Sequence, residues 1–375
     1  GHWAGFTLGW LYWFMLIMVM GAEMTGAAAI MGSWFGVDPW IPALVSVVFF
    51  AVVNFAQVRG FGEFEFWFAF IKVAVIIAFL AVGLSLVLGW LPGSTPVGLG
   101  TFLGEHGFMP NGWPGLAAGL LAVAFAFGGI ELVTIAAAES ENPQSAIAVA
   151  VRSVIWRIAV FYIGSVLVIT LLLPYDQLGG AETAADSPFT AVLAMANIPG
   201  VVGFMEAVIV LALLSAFNAQ IYGTSRLVHS LALDRDAPRI FAVTNRENVP
   251  INAVVLSMLF AFASVGLQYW NPAGLLTFLL NAVGGCLIVI WIMITASYLR
   301  LHPQLEERGE ISTVRMWGWP WLGWATMLAL WGLVVLMLFD APARSQVLSV
   351  LVVVVVLVGL AHLTRWARGR VSSRP

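Results

Sequence analysis

Four ionisable side chains lie within long apolar stretches of the sequence. They are Glu23, Lys72, Glu131 and Glu206. A charge near the centre of a bilayer costs about 2.5–3.5 kcal/mol on insertion scales, so such residues usually mark the path of an ion or a substrate. Lys72 is the sole lysine of the chain, and a lysine withdrawn from water can release and rebind a proton. These residue types predict proton coupling by Lys72 and Glu131, with Glu23 as a possible pathway residue.

The spacing places several of these groups at a common depth. Lys72, Glu131 and Asn218 each lie eight or nine residues from the charged end of their apolar stretch, which is about 12–13 Å at the rise of an α-helix. Two interpretations are open: the three side chains converge on one site, or each pairs with a different neighbour for packing. Glu23 either bonds a neighbouring backbone group or faces the pathway. Glu206 lies near the end of its stretch and is expected to reach the membrane interface.

Two adjacent glycines interrupt the apolar stretch that precedes Glu131. Gly128 and Gly129 each weaken a helix by about 1 kcal/mol relative to alanine and permit unusual backbone angles. Unwound helices in transporters offer free backbone groups to a substrate near the midplane, whereas glycines alone can serve close helix packing. The intramembrane Glu131 favours the broken-helix interpretation. The predicted substrate-binding residues are Phe125, Phe127, Gly128, Gly129, Ile130, Glu131 and Asn218.

The remaining reactive residues exclude most classes of enzyme. No pair of histidines has the spacing of metal ligands, and the sequence contains no HExxH, GxSxG or P-loop motif. The single cysteine, Cys286, excludes internal disulfides and thiolate clusters. The intramembrane residues supply no dyad or triad of a membrane-embedded hydrolase. We therefore expect no enzymatic activity, no metal, no cofactor and no nucleic-acid partner.

The elements that carry these residues follow from the composition. Hydrophobic residues make up 61% and charged residues 9% of the 375 residues, against about 25% charged residues in a typical soluble domain. Lipid offers backbone groups no partners, so the spanning segments must be helices. Apolar runs of about 20 residues predict an all-α polytopic membrane protein with ten helices, at 5–33, 40–57, 64–90, 115–138, 150–173, 200–226, 250–270, 274–298, 318–339 and 344–364. The valine run 352–356 is interpreted as lipid-facing helix.

The basic residues predict the orientation of these helices. Fourteen of the sixteen lie on one side of the predicted membrane, the exceptions being Arg344 and the intramembrane Lys72. Cytoplasmic loops carry the excess of Lys and Arg. An even number of helices then places both ends of the chain in the cytoplasm, as a multi-pass protein of the cell membrane whose surroundings are the lipid bilayer.

Several of these stretches resemble bacterial amino-acid permeases of the amino acid–polyamine–organocation superfamily. Within it, they are most similar to the group of gamma-aminobutyrate, aromatic and proline permeases. The resemblance is carried by Gly9-Trp10-Leu11-Tyr12-Trp13, by the run from Gly62 to Val73, by the run from Gly129 to Ser140, and by Asp236-Ala237-Pro238. It extends over essentially the whole chain.

The resemblance implies a LeuT-like fold, in which two five-helix repeats are related by inverted topology. Residues 1–375 would form a single transmembrane permease domain. Members of this family have twelve helices, so the ten predicted here correspond to family helices three to twelve. Because the chain starts at Gly1 and enters a helix at once, we expect a fragment that lacks family helices one and two.

The resemblance also implies a secondary transporter that imports an amino acid. Gly128 to Ile130 match the unwound segment of the family, and Glu131 matches its acidic residue. Lys72 matches a lysine that takes the place of bound sodium in sodium-coupled relatives, which implies proton symport without sodium. The run 134–140 favours gamma-aminobutyrate as the substrate. The alternatives are a permease for another amino acid, such as an aromatic one or proline, and a non-transporting membrane sensor with the same fold.

Overall fold

The computed structural model describes residues 1–56, 61–97, 100, 109, 111–129, 143–174, 187–245, 249–270, 272, 274–309, 316 and 318–372. Within these ranges all regular structure is helical. The α-helices are α1 (His2–Phe35), α2 (Trp40–Ala56), α3 (Phe61–Val87), α4 (Gly112–Phe127), α5 (Pro143–Arg157), α6 (Gly164–Leu172), α7 (Pro188–Met195), α8 (Val201–Leu233), α9 (Ile251–Trp270), α10 (Leu275–Glu307), α11 (Trp321–Met337) and α12 (Ala341–Ser372).

The described helices agree with the ten predicted from apolar runs. Seven of them are long and apolar enough to cross a membrane, and three shorter apolar helices accompany them, at Trp40–Phe55, Gly112–Phe127 and Trp321–Met337. Residues 130–138 of the predicted helix 115–138 lie outside the described residues, which end at Gly129 and begin again at Pro143.

Two features of the helices were not predicted. The short helix α7 begins after Ser187, whose Oγ accepts a hydrogen bond from the backbone N–H of Phe189 (3.3 Å), with Pro188 in the first turn. This Ser-Pro start is a common N-terminal signal. In addition, the predicted helix 150–173 contains a π-helical turn, Ile158–Ile163, which joins α5 to α6.

Helix α1 is the centre of the described bundle. It packs against α2, α8, α9, α10 and α12, and most of its length from Leu11 to Ile30 is buried. Small side chains such as Ala22, Ala27 and Ala28 let the surrounding helices approach closely. A helix that is covered on all sides can hold a polar group away from both lipid and water, as α1 does with Glu23.

Apolar clusters divide the bundle around α1 into two sides. One cluster joins α1 to α2, α8 and α9 through residues such as Met20, Phe50 and Phe217. The other joins α1 to α10 and α12 through residues such as Leu11, Leu287 and Val350. Helix α4 packs on α10, α11 and α12, on the second side.

A third cluster connects α3, α6, α7 and α8. The α3–α6 contact is unusually close, because a Cβ added at Gly83 would collide with Val168 and one added at Gly164 would lie 3.4 Å from Leu80 Cδ2. This packing fixes the helix that carries Lys72 against the segment just after the π turn.

The valine run in α12 is helical but does not face lipid throughout. Val352, Val355 and Val356 are exposed, whereas Val353 and Val354 pack against the apolar cluster between α1 and α10. The lipid-facing interpretation was therefore wrong for two of the five residues. The reason is that a helix with uniformly apolar side chains gives no sequence signal for which face meets protein.

Candidate functional site

Helix α4 ends at the two glycines. The backbone of Gly128 is extended (φ −62°, ψ 145°), and its N–H bonds the carbonyl oxygen of Phe125. Gly129 has φ +96°, a value that side-chain-bearing residues rarely adopt. An extended residue followed by one with positive φ cannot continue the α-helical hydrogen-bond ladder. The ladder of α4 therefore ends here, and carbonyl groups at a helix end are those that can accept bonds from outside the helix.

The break lies close to α10. A Cβ added at Gly128 would come within 2.7 Å of Leu287 Cδ1 and 3.1 Å of the Phe125 carbonyl oxygen. Gly128 therefore serves close helix packing, one of the two interpretations of the glycine pair. The other interpretation, a broken helix, applies to Gly129. A Cβ added at Gly129 would meet no atom within 4 Å, and there the backbone angle alone requires glycine.

The two phenylalanines before the break face different surroundings. Phe125 packs against the apolar cluster of α1 and α10 that includes Val19 and Leu287. Phe127 is half-buried and meets Tyr162 of the π turn edge to face, with ring centroids 5.5 Å apart and an interplanar angle of 76°.

Glu23 is buried on α1, with 9% of its surface exposed. Lys72 on α3 lies within electrostatic range of its carboxyl group, and the Gln220 side chain on α8 lies beside that carboxyl. Its second oxygen, Oε2, has no hydrogen-bond partner among the described residues. Val19, which shares an apolar cluster with Phe125, lies four residues before Glu23 on the same helix. Glu23 thus lies one helical turn beyond a member of the apolar cluster against which Phe125 packs.

Asn218 is buried on α8 and pairs with α2. Its Oδ1 accepts a hydrogen bond from Asn54 Nδ2 (2.9 Å), and Asn54 also donates to the Phe50 carbonyl oxygen (2.8 Å). Asn218 lies two residues before Gln220. The structure thus gives Asn218 a partner on α2 and places Lys72 within electrostatic range of Glu23.

The other predicted polar residues lie at the edges of this arrangement or outside it. Ile130 and Glu131 are outside the described residues. Glu206 accepts a hydrogen bond from Trp34 Nε1 (2.7 Å) in an exposed position that joins the end of α1 to the start of α8. No group of His, Cys, Asp and Glu that could hold a metal ion exists among the residues that the structure describes.

The amino acid permease family matches this chain over residues 1–372. The chain belongs to the amino acid permease family. Its relatives are transporters, and the long apolar helices of the permease agree with a multi-pass membrane protein that handles small-molecule amino acids.

Individual relatives cover nearly all of the permease. The aromatic amino acid transport protein AroP of Corynebacterium glutamicum is 73% identical over 97% of this chain and 79% of its own length. A gamma-aminobutyric acid permease of Bacillus subtilis is 38% identical over 93% of this chain and 74% of its own length. The corresponding permease of Escherichia coli is 36% identical over 98% of this chain and 79% of its own length.

Three side chains of the candidate site were not predicted from the sequence: Gln220, Asn54 and Tyr162. Polar amides within apolar runs were a usable signal for the first two, since such groups need partners inside a membrane. Tyr162 gave no signal, because a tyrosine in an apolar helix is unremarkable until its neighbour is known.

Proposed function

We propose that this permease imports an aromatic amino acid across the cell membrane, by secondary transport coupled to protons. The observation that carries the substrate is the 73% identity, over 97% of this chain, to a protein named as an aromatic amino acid transporter. The gamma-aminobutyric acid permeases stand at 36–38% identity. The gamma-aminobutyrate that the run 134–140 favoured therefore becomes the competing candidate.

The broken end of α4 supports a site for an amino acid. Carbonyl groups released by Gly128 and Gly129 can accept hydrogen bonds from a substrate ammonium group, which lipid-facing side chains cannot do. The half-buried ring of Phe127 lies directly before the break. Aromatic rings prefer edge-to-face or offset contacts with one another, so this ring suits an aromatic substrate side chain. Phe125, Gly128, Gly129, Ile130, Glu131 and Asn218 remain the other proposed substrate residues.

The proximity of Glu23 and Lys72 supports proton coupling. A buried carboxyl group and an amine within electrostatic range have coupled protonation states, so a proton bound or released by one changes the affinity of the other for a proton. Glu23 Oε2, which has no hydrogen-bond partner among the described residues, offers a place for such a proton. In this proposal Lys72 and Glu131 remain the coupling groups, Glu23 joins them, and no sodium ion takes part.

The proposed orientation places the start of α1 and the end of α12 in the cytoplasm. It rests on the excess of basic residues on that side, where Arg226, Arg235 and Arg239 lie near the end of α8. The positive excess and the even number of predicted helices agree with each other.

Uptake by the purified protein in liposomes tests the proposal. Radiolabelled phenylalanine, tyrosine, tryptophan, gamma-aminobutyrate and proline are supplied separately, with and without an inward proton gradient and with sodium present or absent. We expect uphill accumulation of at least one aromatic amino acid that needs the proton gradient and ignores sodium. Accumulation of gamma-aminobutyrate but of no aromatic amino acid would overturn the substrate, and gradient-independent or sodium-dependent accumulation would overturn the coupling.

A further inference from the structure

Tyr162 lies at an unusual place in the fold. It belongs to the π turn Ile158–Ile163, which interrupts the helix formed by α5 and α6. A π turn closes its hydrogen bonds over one residue more than an α turn does, and such turns often occur at functional sites. The extra residue changes the direction in which the side chains on either side of the turn point.

The two halves of this helix consequently meet different partners. After the turn, Gly164 and Val168 pack closely on α3, against Leu80 and Gly83. Within the turn, Tyr162 reaches α4 and contacts Phe127. The close packing on α3 holds the turn in place, so Tyr162 presents its ring to Phe127 from a fixed position.

The contact leaves room beside it. Tyr162 is 41% exposed and Phe127 is half-buried, so their rings touch edge to face without being enclosed by the apolar core. Directly after Phe127 comes the glycine break, and a Cβ at Gly129 would find no atom within 4 Å. An open aromatic surface therefore adjoins the end of α4.

We propose that Tyr162 is a positioning residue that sets the selectivity of the permease for aromatic side chains, by holding the Phe127 ring at the break of α4. The inference rests on the proposed function, in which Phe127 contacts the substrate. Without the Tyr162 ring, Phe127 can rotate away from the break. Binding of a substrate with a large ring then loses its aromatic partner, while a small substrate held only by backbone groups is little affected.

The test compares Tyr162→Ala, Tyr162→Phe and Tyr162→Leu with the wild-type permease in liposomes. We expect Tyr162→Ala to raise the KM for phenylalanine and tryptophan about two- to tenfold, the range that an aromatic pair supports, with little change in the maximal rate per inserted protein. Tyr162→Phe keeps the ring and should keep the KM. Inhibition of phenylalanine uptake by alanine, as a small competitor, should change little in Tyr162→Ala and in Tyr162→Phe.

A double-mutant cycle separates positioning from general stability. If Tyr162 acts through Phe127, adding Tyr162→Ala to Phe127→Ala should raise the KM no further. The matched control is Tyr269→Ala, because Tyr269 meets Trp40 in the same geometry (5.8 Å, 77°) at the end of α9, away from the break. It should leave the KM unchanged.

Three outcomes overturn the inference. They are an unchanged KM for aromatic substrates in Tyr162→Ala, additive effects in the cycle, and a fall in maximal rate for all substrates at constant KM. If Tyr162→Ala does not insert in the membrane, Tyr162→Leu, which fills the apolar space without an aromatic ring, is expected to give the same rise in KM. A wild-type protein that moves no aromatic amino acid would instead overturn the proposed function, and the two failures are thus distinguishable.

Discussion

At the scale of single residues, the most informative relation is that Lys72 lies within electrostatic range of Glu23. Both belong to apolar helices, and each would be costly to bury alone. Removing one of the two groups leaves the other without its opposite charge, so the protonation of the remaining group is expected to change. In the proposed mechanism, we therefore expect a change in the protonation of these two groups to link the pH gradient to transport.

We predict that Lys72→Ala and Glu23→Gln each abolish uphill, proton-driven accumulation while exchange of internal for external substrate persists. Exchange needs a binding site and the conformational change but no net proton movement. The measurement is accumulation under an inward proton gradient beside counterflow without a gradient, each per unit of inserted protein.

Glu206→Gln is the matched control for this pair of variants. Glu206 is also a glutamate on a long apolar helix, but it is exposed at the start of α8 and bonds Trp34. Accumulation by Glu206→Gln should equal that of the wild type. Normal proton-driven accumulation in Lys72→Ala would remove Lys72 from the coupling mechanism.

Gly129 offers a second prediction at the residue scale. Its φ of +96° is unfavourable for every residue except glycine and most of all for a β-branched one. No atom lies within 4 Å of a Cβ placed there, so strain in the backbone and not a collision is the expected cause. Gly129→Val should reduce initial uptake severely while membrane insertion falls much less.

The control for Gly129→Val lies on the same helix. Gly119 has an ordinary helical backbone and no atom within 4 Å of an added Cβ, so Gly119→Val should transport at a rate near that of the wild type. Equal uptake rates for Gly129→Val and the wild type would mean that the break is not needed for transport. Lipid-facing Val355→Leu on α12 is a further neutral comparison, since Val355 is exposed.

At the scale of helices, the α3–α6 contact determines where Lys72 and the π turn stand relative to one another. Gly83 and Gly164 bring the two helices together closely enough that side chains interlock with backbone. Membrane helices lack a hydrophobic driving force between them, so close packing of this kind supplies much of their association.

We predict that Gly83→Ala destabilises the permease by about 1–3 kcal/mol, the usual cost of overpacking, because the new methyl group collides with Val168. Adding Val168→Ala should recover most of the loss, since it removes the colliding group. Thermal unfolding of the detergent-solubilised protein measures both. Gly266→Ala on α9 is the control: its Cβ meets nothing within 4 Å, and its melting temperature should be equal or slightly higher. A Gly83→Ala protein as stable as that control would contradict the close contact.

At the scale of helices, the sequence predicted the spanning segments but not an irregularity within one of them. Ten helices were predicted from apolar runs, because the spanning length and the need to satisfy backbone groups act on each segment separately. The π turn at Ile158–Ile163 was not predicted. Its residues are apolar like those on either side, so the local sequence carries no signal for the turn.

At the scale of the whole molecule, the proposed orientation can be tested with the single native cysteine left in place. Cys286 is fully buried, so a membrane-impermeant maleimide should not label the wild-type protein. In intact cells, Asp38→Cys between α1 and α2 should be labelled, whereas Thr244→Cys after α8 should be labelled only once the cells are opened. Both positions are exposed. Labelling of Thr244→Cys but not Asp38→Cys in intact cells would invert the topology.

The sequence by itself determined that the protein lies in a membrane, which segments form its spanning helices, and which family it belongs to. A bilayer imposes the same demand on every spanning residue, so composition and run length suffice to recognise the helices. The motifs from Gly62 to Val73 and from Gly129 to Ser140 sufficed to indicate amino acid permeases, which the match over residues 1–372 confirmed. The preference for gamma-aminobutyrate stays a prediction, since the short run 134–140 near one helix end represents only a small part of a substrate cavity.

Only the tertiary structure decided which polar groups meet. Counting residues from a helix end gives the depth of a side chain, and that is one coordinate out of three. Lys72 and Asn218 share a depth in the sequence, and the structure adds that Asn54 bonds Asn218 and that Glu23 lies within electrostatic range of Lys72. The missing coordinates are the order of the helices around α1 and the face that each presents. Both arise from packing between segments distant in the chain, and in a uniformly apolar helix no local pattern records them.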